Sequence, residues 1–481
     1  MKSAKASGTY NVVVIGAGTA GLVTAAGTAS LGGRVALIER NKMGGDCLNF
    51  GCVPSKALIS SARLAQRMRE AEKWGLHNHE PQFEFREVME RMRARRAKIA
   101  PNDSQERFES LGVDVFRGEA RFVSAQEVEV DGQRLRATNF VIATGSRATI
   151  PKIAGLEAIP FFTNETIFDE LHEKPEGMAV LGGGPIGCEL GQAFSRLGVK
   201  ITIVHNGDQL LPPEDRDVAE FMQKQFVAEG INVRLNAKTK RVRSENGGVI
   251  LETNDGDITA DTLLIAAGRT PNIDQLNLAA AGVKHNEHGV EVNDYMQTSQ
   301  PHIYAAGDVA NRLKFTHTAD FTARAVVRNI LMPLQLLRQK VDFSVVPWCT
   351  YTAPEVAHVG LGEKEAAKRG IACELFSVQL EEVDRAVVES EEAGFAKILT
   401  RKGSDEILGA TLVAPHAGDL LHEFVLAMNA GVGLGKIASM IHAYPTFAEL
   451  ARKAGDKYNK TRLTPFAKKL FAWLYRRARK S

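Results

Sequence analysis

The sequence has very little cysteine, with five residues in a chain of 481. So few cysteines cannot form the disulfide framework of a secreted protein, so we expect a reducing compartment. In that setting a close cysteine pair is more often catalytic or metal-binding than structural. Cys47 and Cys52 form such a pair in the stretch GGDCLNFGCVPSKAL. The other three are scattered and are predicted to be core thiols: Cys188, Cys349 and Cys373.

Long apolar segments are also missing. No run approaches the ~20 residues of a membrane-spanning helix, and no signal-peptide core follows MKSAKASGTY. With 44% hydrophobic and 24% charged residues, the composition is that of a globular protein. The length allows roughly two to four domains. We therefore expect a cytoplasmic protein.

The spacing of Cys47 and Cys52 leaves three interpretations open. The pair could be half of a metal site, two unrelated core thiols, or two thiols that open and close a disulfide during a reaction. The surrounding motifs have to decide between them.

A glycine-rich turn follows the first apolar segment. The stretch YNVVVIGAGTAGLVTAAGTASLGGRVALIER passes through Gly16, Gly18 and Gly21 and ends at Glu39. The glycines allow a tight turn, close approach of a pyrophosphate, and packing of the following helix on a sheet. The helix N-terminus faces the phosphates, and Glu39 can accept hydrogen bonds from an adenosine ribose. The stretch therefore predicts a dinucleotide-binding fold.

The same design occurs a second time. The stretch GMAVLGGGPIGCELGQAFSRLGVKITIVHNGDQLLP carries three glycines at the same spacing, Gly182, Gly184 and Gly187. His205 lies 23 residues after the first of them, the offset at which Glu39 follows its own first glycine. The missing acid removes repulsion toward a ribose 2′-phosphate, which His205 and Asn206 could hydrogen-bond. We therefore expect NADPH in preference to NADH.

Two such folds imply two nucleotides, typically a bound flavin and a visiting nicotinamide. Three further stretches each combine an apolar strand with a glycine turn: VIATGSRA, TLLIAAGRTPN and SQPHIYAAGDVAN. In the third, Asp308 follows Gly307 and is placed to contact a ribityl or pyrophosphate group.

In this order, the motifs resemble those of the class I pyridine nucleotide–disulfide oxidoreductases, which include lipoamide dehydrogenase, glutathione reductase and mercuric reductase. The resemblance covers roughly residues 10–455 and is closest to mercuric-reductase-like members. It implies an α/β fold with two Rossmann-like dinucleotide-binding domains and an α+β C-terminal dimerisation domain. It also implies FAD, NADPH or NADH, and a homodimer.

The predicted domain limits follow from the same resemblance. The FAD-binding domain is expected at residues 1–150 and 280–345, and the NAD(P)-binding domain at 151–279. A dimerisation domain is expected at 346–455, followed by a basic tail at 456–481.

The resemblance also favours one interpretation of the cysteines, since a zinc site would need a second ligand pair at similar spacing. It implies a redox disulfide in which Cys52 lies against the flavin and Cys47 meets the substrate. The helix dipole and Lys56 would lower a thiol pKa below its usual value of about 8.5. Lys56 would lie near the flavin N5 atom, and Glu189 would pair with Lys56.

The nucleotide-binding residues that the resemblance implies are mostly in turns, and no resident metal ion is predicted. They are Gly16, Gly18, Gly21, Glu39, Arg40, Gly45, Lys56, Glu119, Ala120, Thr144, Gly145, Ser146, Gly182, Gly184, Gly187, Glu189, His205, Asn206, Gly268, Arg269, Gly307 and Asp308.

The stretch IHAYPTFAEL departs from the disulfide-reducing members. Those carry a histidine before the proline, which comes from the partner subunit and shuttles a proton to the thiol. Here the position is Tyr444, while Glu449 keeps the position of the family's glutamate. A tyrosine with a pKa of about 10 is a poor proton shuttle at neutral pH. His442 is an alternative shuttle, or a structural histidine.

This departure bears on the electron acceptor. Mercuric reductases also lack that histidine, but they end in a vicinal cysteine pair, and no cysteine follows Cys373 here. We expect an acceptor that is a metal ion or a small disulfide. The alternatives are lipoamide dehydrogenase, a membrane-surface quinone reductase, and a non-enzymatic redox sensor.

Two basic segments complete the sequence. FREVMERMRARRAKI is predicted to be an exposed helix with a solvated charged face. In the basic tail, TPFAKKLFAWLYRRARK drawn as a helix separates apolar from basic side chains. This helix either docks on the dimer or lies on a membrane surface. Binding of nucleic acid is not expected.

Overall fold

The computed structural model describes residues 8–311, 313–332 and 334–479. The chain divides into two compact units. The first contains Met1–Ala65, Pro81–Leu210 and Gln225–Asp342, and the second contains Gln66–Glu80, Leu211–Lys224 and Phe343–Ser481.

The first unit contains a seven-stranded sheet built around the first apolar segment. Across the sheet the strands are Val113–Arg117, Val35–Glu39, Tyr10–Ile15, Gln133–Ile142, Glu127–Val130 and Ala120–Ser124, with Ile303–Ala305 also pairing with Gln133–Ile142. The inner pairs are parallel, with Val12 opposite both Val35 and Asn139. Val12, Val13 and Val14 are completely buried, as expected for a parallel strand covered on both faces. Burying each stabilises the fold by roughly 1.5–3 kcal/mol.

A second parallel sheet in the same unit repeats this plan. Its strands, in spatial order, are Asn232–Arg234, Lys200–Val204, Gly177–Leu181, Thr262–Ile265 and Phe162–Thr163. The same unit also contains a three-stranded antiparallel sheet formed by Thr239–Glu245, Gly248–Thr253 and Gly256–Ala260. Two short two-stranded ribbons pair Ser146–Ala148 with Arg269–Pro271, and His285–Asn286 with Gly289–Val290. The two predicted Rossmann-like folds are confirmed.

Helices follow the glycine turns and connect the strands. Up to residue 342 the α-helices are Thr19–Ser30, Gly45–Asn49, Cys52–Arg69, Phe85–Ile99, Gln105–Ser110, Ile167–Glu170, Pro185–Arg196, Arg216–Ala228 and Thr316–Leu331. Short 3₁₀ helices lie at Ala100–Asp103, Leu156–Ala158, Leu278–Ala281, Gly307–Val309, Gln335–Leu337 and, in the second unit, at Ala71–Trp74 and Leu380–Glu382.

The second unit has the α+β character that the sequence predicts. Its antiparallel sheet has the order Pro347–Thr350, Glu355–Gly360, Ile407–Ala414, Phe395–Arg401 and Cys373–Gln379. Its further helices are Glu363–Lys368, Asp384–Val388, Ala417–Leu420, His422–Ala430, Leu434–Ala438, Glu449–Thr461 and Pro465–Ala478. Phe376, Phe424, Leu450 and Tyr458 belong to the core that joins this sheet to its helices.

Two expectations hold only in part. The arginine-rich helix Phe85–Ile99 is largely exposed, as predicted, but two of its arginines are bonded to the protein: Arg96 pairs with Asp169, and Arg93 donates to the carbonyls of residues 168, 169 and 171. Cys188 is buried as predicted, but the other two isolated cysteines, at 349 and 373, are only half-buried. Periodicity and composition do not show which partners a surface-like side chain meets.

Across the three described ranges, every helix is too short or too polar to cross a bilayer.

Candidate functional site

The first glycine turn is tightly packed at the end of the central strand. Gly16 has a φ of +104°, and a Cβ there would lie 2.4 Å from the carbonyl oxygen of Ala143. A Cβ on Gly45, whose φ is +59°, would lie 2.5 Å from the Cα of Gly18. The turn and the segment before Cys47 therefore approach each other backbone to backbone, which leaves the N-terminus of helix Thr19–Ser30 open to a phosphate.

A cavity of about 370 Å³ opens beside this turn. Its lining includes six residues that the sequence singles out: Gly16, Glu39, Arg40, Glu119, Ala120 and Thr144. The Glu39 carboxylate accepts hydrogen bonds from the backbone N–H groups of Ala17 (2.6 Å) and Asn41 (2.7 Å). An acid fixed in a cavity of this size fits the adenosine end of a dinucleotide.

The sequence prediction missed part of this lining. Asn272, Asp274, Gln275 and Leu276 also line the cavity. Gln275 accepts a hydrogen bond of 2.9 Å from Arg40, 235 residues earlier. Asn272 ends the quoted stretch TLLIAAGRTPN, but nothing in the local sequence marks Asp274, Gln275 and Leu276, which only the folded chain brings to this cavity.

A buried polar cluster joins the other predicted turns. Ser146 donates a hydrogen bond of 2.6 Å to Asp308, and Arg269 donates one of 2.8 Å to the Ser146 hydroxyl. Arg269 also lies 3.0 Å from Asp46 and 3.7 Å from Asp308. Burial raises the pKa of Asp308. Asp46, which the prediction passed over beside Cys47, ties the cysteine segment to this cluster.

The two cysteines lie on successive helices and are free thiols in this structure. Cys47 is within Gly45–Asn49, and Cys52 is the first residue of Cys52–Arg69. The pKa of Cys52 is lowered to about 6. The main cause is a hydrogen bond from Cys47, and the charge of Lys56 and a hydrogen bond from Thr316 add to it, while burial acts in the opposite direction. The shared hydrogen bond and burial raise the pKa of Cys47. The pair is therefore one thiolate and one thiol.

Two side chains support the Cys52 thiolate. Lys56, one turn further along the same helix, lies 2.7 Å from Glu189 on helix Pro185–Arg196. The side chain of Glu189 is 7% exposed and that of Lys56 is 34% exposed, so the carboxylate of this pair is shielded from water and the ammonium group only partly. Thr316 Oγ1 lies 3.4 Å from Cys52 Sγ. No sequence pattern pointed to Thr316, because it is 264 residues away from Cys52.

The second glycine turn has the same geometry as the first. A Cβ on Gly182, whose φ is +129°, would lie 2.2 Å from the carbonyl oxygen of Ala266. At Gly184, by contrast, a Cβ would meet nothing within 4 Å. Open space before the helix at this glycine leaves room for a second nucleotide.

His205 is held as a neutral ring at the end of the neighbouring strand. Its Nδ1 accepts a hydrogen bond of 3.2 Å from the Gly183 N–H, which places the ring proton on Nε2. Burial lowers the pKa of His205, and Nε2 is buried without a hydrogen-bond partner among the described residues. His205 can therefore donate one hydrogen bond but brings no positive charge. Asn206 beside it is exposed.

The Tyr444 segment belongs to the second unit. Tyr444 is 69% exposed, and its hydroxyl donates a hydrogen bond of 2.8 Å to Asp384, which raises the tyrosine pKa. His442 is almost buried and pairs with Glu423 at 3.0 Å. One oxygen of Glu449 accepts from Arg452 at 2.8 Å, and its Oε2 is buried without a partner among the described residues. These three predicted residues thus have three different partners.

Two parallel nucleotide-type folds and an activated dithiol define a two-nucleotide oxidoreductase, and comparison with known proteins agrees. The family of pyridine nucleotide-disulphide oxidoreductases matches residues 10–323, and its dimerisation domain matches residues 346–454. The chain belongs to this family. It is therefore an FAD-dependent enzyme that uses NAD(P)H, and its dimerisation domain supports a homodimer.

Several characterised proteins are similar over most of the chain. Mercuric reductase of Lysinibacillus sphaericus is 34% identical over 94% of this chain and 83% of its own length. Dihydrolipoyl dehydrogenase of Chlamydia muridarum is 33% identical over 92% of this chain and 95% of its own length. Among solved structures, the Cu(II) complex of the HOCl-induced flavoprotein disulfide reductase RclA from Escherichia coli has a TM-score of 0.84 at 26% identity. The similarity covers 94% of this chain and 99% of the RclA chain.

The low pKa of Cys52 makes its reactivity pH-dependent. Alkylation of Cys52 by iodoacetamide in the reduced protein should follow a titration with a midpoint near pH 6, because only the thiolate reacts. Lys56→Met should raise this midpoint by about one pH unit or more, because the positive charge that stabilises the Cys52 thiolate is lost. Thr316→Val should raise it less.

Mass spectrometry of peptides that separate the two cysteines measures this rate at each pH. Lys98→Met, which removes a lysine from the exposed side of another helix, is the matched control and should leave the midpoint unchanged. A wild-type midpoint near pH 8.5, the usual value for a free cysteine, would contradict the proposed activation.

Proposed function

We propose that this enzyme passes two electrons from NAD(P)H, through a disulfide between Cys47 and Cys52, to a thiophilic metal acceptor, either one Hg(II) ion or two Cu(II) ions. The observation that carries the proposal is Tyr444, whose phenol is bonded to Asp384 and has a raised pKa. Reducing a disulfide substrate requires a proton for the departing thiolate, whereas reducing a metal ion does not. A metal ion is therefore the acceptor that best suits this chain.

The relatives support the same choice. One group is named for reduction of mercury, and the RclA structure was solved with Cu(II). The dihydrolipoyl dehydrogenases are equally similar in sequence, so the acceptor is chosen on the tyrosine rather than on overall identity.

The residues of this chain have distinct parts in the proposed reaction. Gly16, Glu39 and the cavity beside them would hold FAD, which would supply a hydride acceptor for the nicotinamide and two electrons for the sulfur pair. Lys56, held by Glu189 at 2.7 Å, keeps positive charge beside Cys52 and stabilises the thiolate that forms when the disulfide opens. Cys47, freed by the same step, binds the metal ion after losing its proton. Two thiolates and one Hg(II) then give one disulfide and Hg(0), which balances charge and electrons.

Two finer features belong to the proposal. We expect NADPH to be preferred, since neutral His205 offers an Nε2–H donor where an acid would repel a 2′-phosphate. We also expect a homodimer with the domain limits and nucleotide contacts that the family resemblance implies.

Steady-state oxidation of NADPH and NADH against Hg(II), Cu(II), lipoamide and glutathione disulfide tests this proposal. We expect a metal ion to give a kcat/KM at least about tenfold above either disulfide, and NADPH to give the lower KM. Glutathione disulfide or lipoamide as the faster acceptor would refute the choice of a metal ion. Heat-treated enzyme and enzyme-free mixtures correct for direct reaction of the nucleotide with the ions.

A further inference from the structure

The C-terminal helix Pro465–Ala478 lies beyond the part of the chain that matches the dimerisation domain, which ends at residue 454. It begins with an N-cap, because the Thr464 side chain accepts the N–H of Ala467, and a proline occupies its first turn. None of its described residues is buried. A helix of 14 residues without a buried residue is only marginally stable on its own in water, so a partner surface would stabilise it.

The two faces of this helix differ in chemistry. One face is apolar, and its large side chains are between 43% and 77% exposed: Phe466, Leu470, Phe471, Trp473 and Leu474. At 100° per residue, four cations project on the opposite side: Lys468, Lys469, Arg476 and Arg479. A fifth cation, Arg477, projects from the apolar side and lies over the Trp473 ring at 5.6 Å. No acidic residue occurs in 457–481.

We propose that this helix lies flat on an anionic lipid surface, with its apolar face at the boundary between headgroups and acyl chains. Aromatic and leucine side chains opposite lysines and arginines are typical of helices that bind such surfaces. Trp473 and Tyr475 suit the interfacial layer, where amphipathic rings are enriched. The uniform positive charge favours an anionic lipid surface, and it disfavours pairing with the same helix of a second copy, because two such helices would repel each other. Such binding would determine where the enzyme acts and is independent of the proposed reaction.

Sedimentation with vesicles tests this inference on the full-length holoenzyme. We expect binding to vesicles of phosphatidylcholine with phosphatidylglycerol, little binding to phosphatidylcholine alone, and release by high salt. The triple variant K468Q/K469Q/R476Q should bind on the order of a hundredfold more weakly, at roughly fivefold for each cation. The pair L470S/L474S should also lose binding, while a chain ending at Leu463 should not bind at all.

Matched controls separate this helix from general surface charge. The variant K284Q/K364Q/K368Q removes three exposed lysines elsewhere in the chain and should bind as the wild type does. The chain ending at Leu463 should keep its NAD(P)H oxidation, which shows that it is folded.

Three results would overturn the inference. One is unchanged vesicle binding by the chain ending at Leu463. The second is absence of lipid binding together with a truncation-dependent change of molecular mass in light scattering, which would make a second copy the partner. The third is a pair of observations that would make nucleic acid the partner: K468Q/K469Q/R476Q loses binding to duplex DNA, and L470S/L474S binds vesicles as the wild type does.

Discussion

Replacing Cys47 by serine is expected to lower NADPH-driven reduction of Hg(II) by roughly a thousandfold or more. With one sulfur left, the chain cannot form the disulfide through which the two electrons leave. Serine can still donate a hydrogen bond to Cys52, so the thiolate next to Lys56 should persist. Electron transfer from NADPH to a dye that accepts electrons directly from FAD should therefore change by less than about threefold.

Cys373→Ser is the matched control, because Cys373 is an isolated, half-buried thiol in the second unit. It should leave both activities unchanged. Reduction of Hg(II) by the Cys47 variant at more than about a tenth of the wild-type rate, after correction for the enzyme-free reaction, would show that the electrons do not need this sulfur.

Tyr444→His is expected to raise turnover with a small disulfide such as lipoamide by about a hundredfold, the contribution typical of a placed acid–base group. An imidazole titrates near neutral pH, whereas the Tyr444 hydroxyl has its pKa raised by Asp384. Asp384 can orient the new ring. Reduction of the metal ion should change little, since that reaction needs no proton at this position.

Tyr444→Phe shows whether a gain in the histidine variant comes from proton transfer by the imidazole or only from loss of the tyrosine. It removes the hydroxyl that bonds to Asp384 and should leave disulfide turnover as slow as in the wild type. Equal gains in both variants, or no gain in the histidine variant, would show that proton delivery does not limit disulfide reduction here.

Much of the fold could be predicted from the sequence because its signals are local. The valine run from Val12 to Val14, the glycines after it and the acid at residue 39 are close in the chain, and the same spacing recurs from Gly182 to His205. Such stretches specify strand, turn and helix without distant partners. By contrast, the partners of Arg93 and Arg96 were not predictable, since a charge run looks the same whether its arginines face water or carbonyl groups.

The site was predictable where residues share one helix or one turn, and not where the fold assembles it. Cys52 and Lys56 are a helical turn apart, so their proximity follows from spacing. The site also contains Thr316, Asp46 and Gln275. Each of them is hydrogen-bonded to a residue between 118 and 264 positions away in the sequence. Predicting those contacts requires knowing which strands are neighbours, and one sequence does not supply that.

The central claim is that electrons leave the enzyme through the sulfur pair of Cys47 and Cys52. Anaerobic addition of one equivalent of NADPH to the oxidised enzyme, followed by alkylation and peptide mass spectrometry, tests it most directly. The account predicts that both cysteines become alkylated only after NADPH is added, together with a long-wavelength thiolate-to-flavin absorption band. Bleaching of the flavin by NADPH while neither cysteine gains a label would contradict it.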